Sequence, residues 1–242
     1  MIYLPSCHST NDIAAELVRN NSFQEGLVVI TDDQTKGRGQ MGNTWLTEPR
    51  QNLTFSIILQ PTFVRIQEQF LISKAISIGI CGYLKSYTKN VKIKWPNDIY
   101  LGGEKVCGTL IENGIQGSRI SSSIVGIGLN MNQKQFENSR ATSLGLNQNS
   151  SFNLPEEFEK VIRHLDAAYF RLKSIAGRAF VDSEYLSLLY DYQVTRKFRV
   201  GGEIHIGSIA GVSETGKLRI IFEGQMEPTG FNTKEVEWVW DI

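Results

Sequence analysis

Two stretches of this 242-residue chain concentrate groups suited to binding and transforming anions. Residues 32–45 read DDQTKGRGQMGNTW, with glycines at 37, 39 and 42 and cations at Lys36 and Arg38. Glycine lets the main chain approach a ligand closely, and a guanidinium offers paired donors. Such a loop can therefore wrap N–H groups and positive charge around a phosphate. The same composition also makes an ordinary surface hairpin, and the residues alone leave both readings open. Residues 94–112 read KWPNDIYLGGEKVCGTLIE. Asn97 and Asp98 after Pro96 are good turn formers, and Lys105 opens a strand beside a Gly-Gly turn. A hairpin there would also gather Lys94, Asn97, Asp98, Lys105 and Glu112 at one end of a sheet.

Two other glycine patterns lead nowhere. Residues 211–217 have GxxxxGK spacing, but Leu218 stands where a magnesium-binding Ser or Thr would follow, and the segment reads as a β-turn. Gly126 and Gly128 begin like a dinucleotide fingerprint, but Met131 takes the third glycine position. His8, His164 and His205 are scattered, so no protein cluster for a metal is expected.

The elements that must carry these groups follow from apolar spacing. After a short N-terminal strand, Ser9, Thr10 and Asn11 cap a helix over about 10–20. Strands are predicted near 27–31 and 53–59, flanking the polar loop, and a long helix at 65–87 despite Gly79 and Gly82. Short strands at 91–95, 99–101, 105–112 and 120–129, broken by turns, make a sheet of hairpins. A helix at 155–175, begun by Pro155 and ended before Gly177, precedes another at about 178–190. From about 193 the alternation of Ile204 and Ile206, then Leu218, Ile220 and Phe222, indicates a small all-β unit.

Lys plus Arg and Asp plus Glu are 25 each, which gives no support to a DNA-binding surface. No apolar run reaches the roughly 20 residues of a membrane helix. Three cysteines without CxxC spacing and the lack of a signal peptide predict a reducing, cytoplasmic setting, with Cys107 as a core residue.

Four blocks, taken in order, resemble biotin–protein ligases: Ser-Thr-Asn at 9–11; QTKGRG at 34–39 followed by Trp45; KWPND at 94–98 with KVCG at 105–108; and GIGLNMN at 126–132. The resemblance implies an α+β fold. A class II synthetase-like mixed or antiparallel sheet with flanking helices would fill 1–192 as the catalytic domain, and a small SH3-like β-barrel would fill 193–242. It implies an ATP-dependent ligase that makes biotinyl-5′-AMP and transfers biotin to a lysine of a biotin carboxyl carrier domain. Related readings are a lipoate or octanoate ligase or transferase and, from another class, a non-catalytic binding module.

By the same resemblance Ser9, Thr10, Asn11, Gln34, Arg38, Gly39, Gln40 and Lys105 belong to biotin. Arg38, Trp45, Asn97, Lys105 and Asn130 belong to ATP and the adenylate. Lys105 resembles the family's catalytic lysine, with Arg38 and Asp98 beside it in catalysis, and Mg²⁺ would be held mainly by ATP. The family's loop is commonly GRGRxGRxW. Gln40 and Asn43 stand where its second and third arginines would be, so Arg38 and Lys105 are expected to carry the anion binding. Only eight residues precede Ser9, so a DNA-binding repressor domain is expected to be absent, and a monomer or homodimer is expected.

Overall fold

The computed structural model describes residues 1–138 and 140–240. Its centre is a seven-stranded sheet of β1 (Ile2–Cys7), β2 (Leu27–Gln34), β3 (Asn52–Leu59), β4 (Val91–Lys94), β5 (Asp98–Leu101), β6 (Glu104–Gln116) and β7 (Arg119–Asn130). The order is β1-β2-β3-β7-β6-β5-β4, with β1 parallel to β2 and every other pair antiparallel.

Side chains alternate across a strand, so each strand serves two faces. Leu53, Phe55 and Ile57 of β3 join Val125, Ile127 and Leu129 of β7 in the main core. The opposite face carries Thr54, Ser56 and Ile58, in register with Gly128, Gly126 and Ile124. On that face Ile58 and Ile124 meet Val29 of β2 and Ala14 of helix α1 (Thr10–Arg19) in a second, smaller core. The rest of the face is polar or glycine, and it forms the floor of a cavity.

Helix α2 (Phe70–Leu84) is buried almost all round, packed by α4 (Leu154–Arg171) and α5 (Ile175–Leu188) against the main core. Gly79 and Gly82, which weaken its helix propensity, let α4 cross closely: a Cβ at Gly79 would lie 3.0 Å from the Leu165 Cα, and one at Gly82 would lie 3.1 Å from His164 Nδ1. Packing overrides propensity here. The helix predicted from residue 65 is instead a 3-10 turn at Ile66–Glu68 before α2. Gly177 falls inside α5, because Ser174 caps a new helix by accepting from the Gly177 N–H at 3.0 Å. A short helix α3 (Leu144–Gln148) carries no apolar period long enough to read.

A second, antiparallel sheet holds β8 (Thr195–Val200), β9 (Glu203–Val212), β10 (Leu218–Phe222), β11 (Thr229–Phe231) and β12 (Val236–Trp238), in the order β11-β10-β9-β8-β12. Ile204 and Ile206 alternate as expected but face outward, 53% and 39% exposed. The register sets them opposite Arg199 and Lys197, on the face away from Phe198. The sheet sits against the β4–β5 hairpin, where Trp95 Nε1 donates to the Gly216 carbonyl at 2.8 Å; in the segment between α5 and β8 the Tyr190 N–H donates to the Ile93 carbonyl at 2.7 Å. Among the described residues no helix is long and apolar enough to cross a membrane. Cys107 is fully buried in the core, and burial pushes its thiol pKa up.

One buried carboxylate fastens α4 to α2. Glu157 accepts from Tyr83 Oη at 2.6 Å, Tyr87 Oη at 2.5 Å and Lys160 Nζ at 2.8 Å. Burial pushes the Glu157 carboxyl up, but these donors outweigh it and hold the group below the usual glutamate range. A carboxyl lowered on folding stabilises the fold above its unfolded value of about 4.3, and the contribution fades as pH falls through the lower folded value. Glu157→Gln is therefore expected to cost about 2–3 kcal/mol at pH 7. The gap to wild type should close below about pH 4 in urea melts run across pH.

Candidate active site

The glycine-faced side of the sheet opens into a cavity of about 530 Å³. Its floor is β3, β6 and β7, one wall is the start of α1, a roof is the 37–45 loop, and the far wall is the β4–β5 turn with the last strand of the second sheet.

At the α1 end the polar groups are mutually bound. Ser9 caps the helix, its Oγ accepting from the Asp12 N–H at 3.4 Å. The Thr10 N–H and hydroxyl donate to Gln34 Oε1 at 2.9 and 3.3 Å. Ser56, wholly buried on β3, lies 2.7 Å from Thr10 Oγ1 and donates to Asn11 Oδ1 at 2.6 Å, while Asn11 Nδ2 donates to Glu112 Oε2 at 2.7 Å. A chain of fixed donors and acceptors at a cavity wall is suited to a small ligand with a polar ring, since it need not reorganise on binding.

The loop is an ordered hairpin. Arg38 and Thr44 form a bridge, the Trp45 N–H donates to the Gly37 carbonyl at 3.0 Å, and the Gly39 N–H to the Asn43 carbonyl at 2.7 Å. This brings Gly39, Gln40 and Trp45 to the cavity. The Trp45 indole lies on the paired glycines Gly108 and Gly128: a Cβ at Gly128 would overlap the ring, and one at Gly108 would approach it to 2.9 Å. Arg38 does not point at open space. Its guanidinium bonds Asp12 Oδ1 at 2.6 Å and both oxygens of Glu112 at 3.2 and 3.3 Å. Burial works against its charge, and Glu112 and Asp12 more than offset this, so the cation is held above its ordinary pKa.

Across the cavity Lys105 Nζ is 2.7 Å from Asp98 Oδ1 and 5.4 Å from the Trp45 ring centroid. Asn97 is fastened to β6, its amide donating to the Thr109 carbonyl and its own carbonyl accepting from the Thr109 N–H at 3.2 Å. The structure thus brings Ser9, Thr10, Asn11, Gln34, Arg38, Gly39, Gln40, Trp45, Asn97, Asp98 and Lys105 to one cavity. Asn130 is not among its lining residues. It ends β7 beneath the 142 segment, its Nδ2 donating to the Thr142 carbonyl at 3.0 Å.

Sequence reasoning missed Thr54 and Ser56, which look like ordinary strand residues until the register sets them beside glycines. It also missed Asp12, and Thr233, Val236, Glu237, Trp238 and Trp240, which line the cavity from beyond the unit holding the motifs. Among the described residues no three His, Cys, Asp or Glu groups converge to hold a metal.

The family profile of the biotin/lipoate A/B protein ligases matches residues 3–130, over half of the chain. The chain belongs to that family. Every motif block up to Asn130 lies in the matched span, whereas the cavity wall from 233 to 240 lies beyond it. The chain is 36% identical over 135 residues to the bifunctional ligase/repressor BirA of Bacillus subtilis (strain 168), covering 55% of this chain and 41% of that protein. It thus spans less than half of that relative's length. It is 27% identical over 235 residues to BirA of Escherichia coli (strain K12), covering 93% of this chain and 70% of that protein. The solved biotin protein ligase from Aquifex aeolicus in complex with biotin and ATP is similar with a TM-score of 0.77 and 25% identity, over 98% of both chains.

The contact between Trp45 and the paired glycines generates a prediction. Gly128→Val is expected to lift the indole and loosen the hairpin. Amide exchange over residues 36–46 should rise about tenfold or more while α2 stays protected. Unchanged exchange in the loop would refute that role for Gly128.

Proposed function

We propose that this protein is a biotin protein ligase, forming biotinyl-5′-AMP from biotin and ATP and passing biotin to a lysine of a biotin carboxyl carrier domain. The observation that carries the reading is one cavity with the bound Gln34–Thr10–Ser56–Asn11 chain at one end, the Lys105–Asp98 pair at the other, and Trp45 between them. The Aquifex ligase, described with both biotin and ATP, supports it. The division into a catalytic unit over 1–192 and an SH3-like unit from 193 belongs to the same proposal, with the second unit completing the nucleotide side of the cavity.

In the first step a biotin carboxylate oxygen attacks the α-phosphorus of ATP, the bond to the β-phosphate breaks, and pyrophosphate leaves. Both reactants are anions, so fixed positive charge and positioning supply most of the catalysis. The Lys105 ammonium, oriented by Asp98, would stabilise the charge growing on the phosphoryl oxygens. The loop N–H groups and Arg38 would hold the carboxylate, the ligand competing with Asp12 and Glu112 for the guanidinium. Mg²⁺ would arrive on the triphosphate and neutralise part of its charge. In the second step the acceptor amine attacks the acyl carbon and AMP leaves. A lysine amine, with a reference pKa of about 10.4, must first lose its proton. Asp98, at the cavity wall, is assigned as the base. The roofing loop keeps water from the mixed anhydride.

Wild-type protein is expected to exchange labelled pyrophosphate into ATP only when biotin is present. Lys105→Ala and Arg38→Ala should each cost about a hundredfold. Exchange supported by lipoate and not biotin would reassign the substrate, and no exchange with either acid from folded protein would sink the reading.

A further inference from the structure

Three of the cations lining the cavity are Arg38, Lys94 and Lys105. Two are matched by carboxylates, Arg38 by Asp12 and Glu112 and Lys105 by Asp98. Lys94 is different. It faces Asp98 across the β4–β5 hairpin, but that carboxylate is turned to Lys105. Among the described residues the Lys94 ammonium has neither a hydrogen bond nor a carboxylate within ion-pair distance. It rests instead among aromatic faces, 4.9 Å from the ring centroid of Trp238, 5.3 Å from that of Trp240 and 5.8 Å from that of Tyr100. Arg140 stacks on Trp240 at 4.4 Å, which adds a second cation to the same aromatic set.

Aromatic faces attract an ammonium and fix its direction, but they do not cancel its charge as a carboxylate does. Burial penalises that charge and lowers the Lys94 pKa, while Asp98 partly restores it. A cation kept half-buried at a cavity wall without an anion is costly, and the cost is recovered when a ligand brings one. The roofing loop leaves such a need, because its positions 40 and 43 are the neutral Gln40 and Asn43. Lys94 lines the cavity together with Thr233 and Trp238 of its far wall.

We propose that Lys94, aimed by Tyr100 and by Trp238 and Trp240 of the second sheet's end, binds the terminal phosphates of the nucleoside triphosphate and the pyrophosphate that leaves. The inference rests on the ATP-dependent reading above and assigns a residue and a wall to its phosphate side. The tryptophans are positioning residues that act through Lys94.

The test separates the two half-reactions. Lys94→Met, which keeps the stem's length against the rings, is expected to raise KM for ATP and for pyrophosphate in the exchange assay about tenfold or more. KM for biotin, and transfer from preformed biotinyl-5′-AMP to the acceptor, should stay within about twofold, since neither uses the terminal phosphates. Lys94→Arg should recover most of the loss, and Trp240→Leu should show a smaller shift of the same kind. Equal damage to both half-reactions, or no change in KM for pyrophosphate, overturns the proposal. Thermal melts check that Lys94→Met is folded; if it is not, Lys94→Gln and the Lys94→Arg recovery carry the same comparison. Calorimetric titration with magnesium pyrophosphate separates this inference from the ligase reading. Lys94-dependent binding in a protein with no exchange would leave the site standing and remove the ligase. Intact exchange with pyrophosphate binding untouched by Lys94→Met would do the reverse.

Discussion

An indole can lie flat on a β-sheet only where the strands beneath it give up their side chains. Trp45 imposes that condition on Gly108 and Gly128, which face each other across β6 and β7. Much of the site depends on this contact. It ties the 37–45 hairpin to the sheet, sets the roof height of the cavity, and puts a π-face 5.4 Å from the Lys105 ammonium. On the other face of β3 and β7, Leu53, Phe55, Ile57, Val125, Ile127 and Leu129 join the main core that α2 closes, so the two-residue period of these strands separates stability from ligand space.

Charge is arranged on this frame so that Arg38 and Lys105 each have a defined carboxylate opponent, while Lys94 rests on aromatic faces instead. Glu112 binds Arg38 and Asn11 together and so links the roof to the start of α1. Asp98 binds Lys105, and Asn97 next to it is stitched to β6, so this ion pair and two hydrogen bonds tie the β4–β5 turn to the floor. The polar chain through Ser56 is buried and satisfied, and that condition lets such a network hold one geometry.

Much of this was legible in the residues. Ser9 announced a helix start and Pro96-Asn97-Asp98 a turn, because caps and turns depend on a residue's own neighbours. What escaped notice depends on register. Thr54 and Ser56 gain meaning only when paired with Gly128 and Gly126, and the alternation of Ile204 and Ile206 announces a strand without saying that their pairing with Arg199 and Lys197 sets them outward. Gly79 looked like a flaw in α2 until Leu165 was found against it. The wall supplied by 233–240 could not be foreseen, since no local pattern says that a distant β-unit will return to the mouth of the sheet.

That return has a consequence for how the protein comes to exist. Residues 9–11 and 236–240 border the same space, so the cavity is a contact of very high sequence separation. Closing such contacts costs the loop-closure entropy of the intervening chain. The cavity is enclosed only once the second sheet has docked, and an incompletely folded chain has the motifs without the enclosure. By the same linkage, any molecule filling that space bridges the two sheets and holds them together by mass action, so occupancy and docking of the second unit rise together.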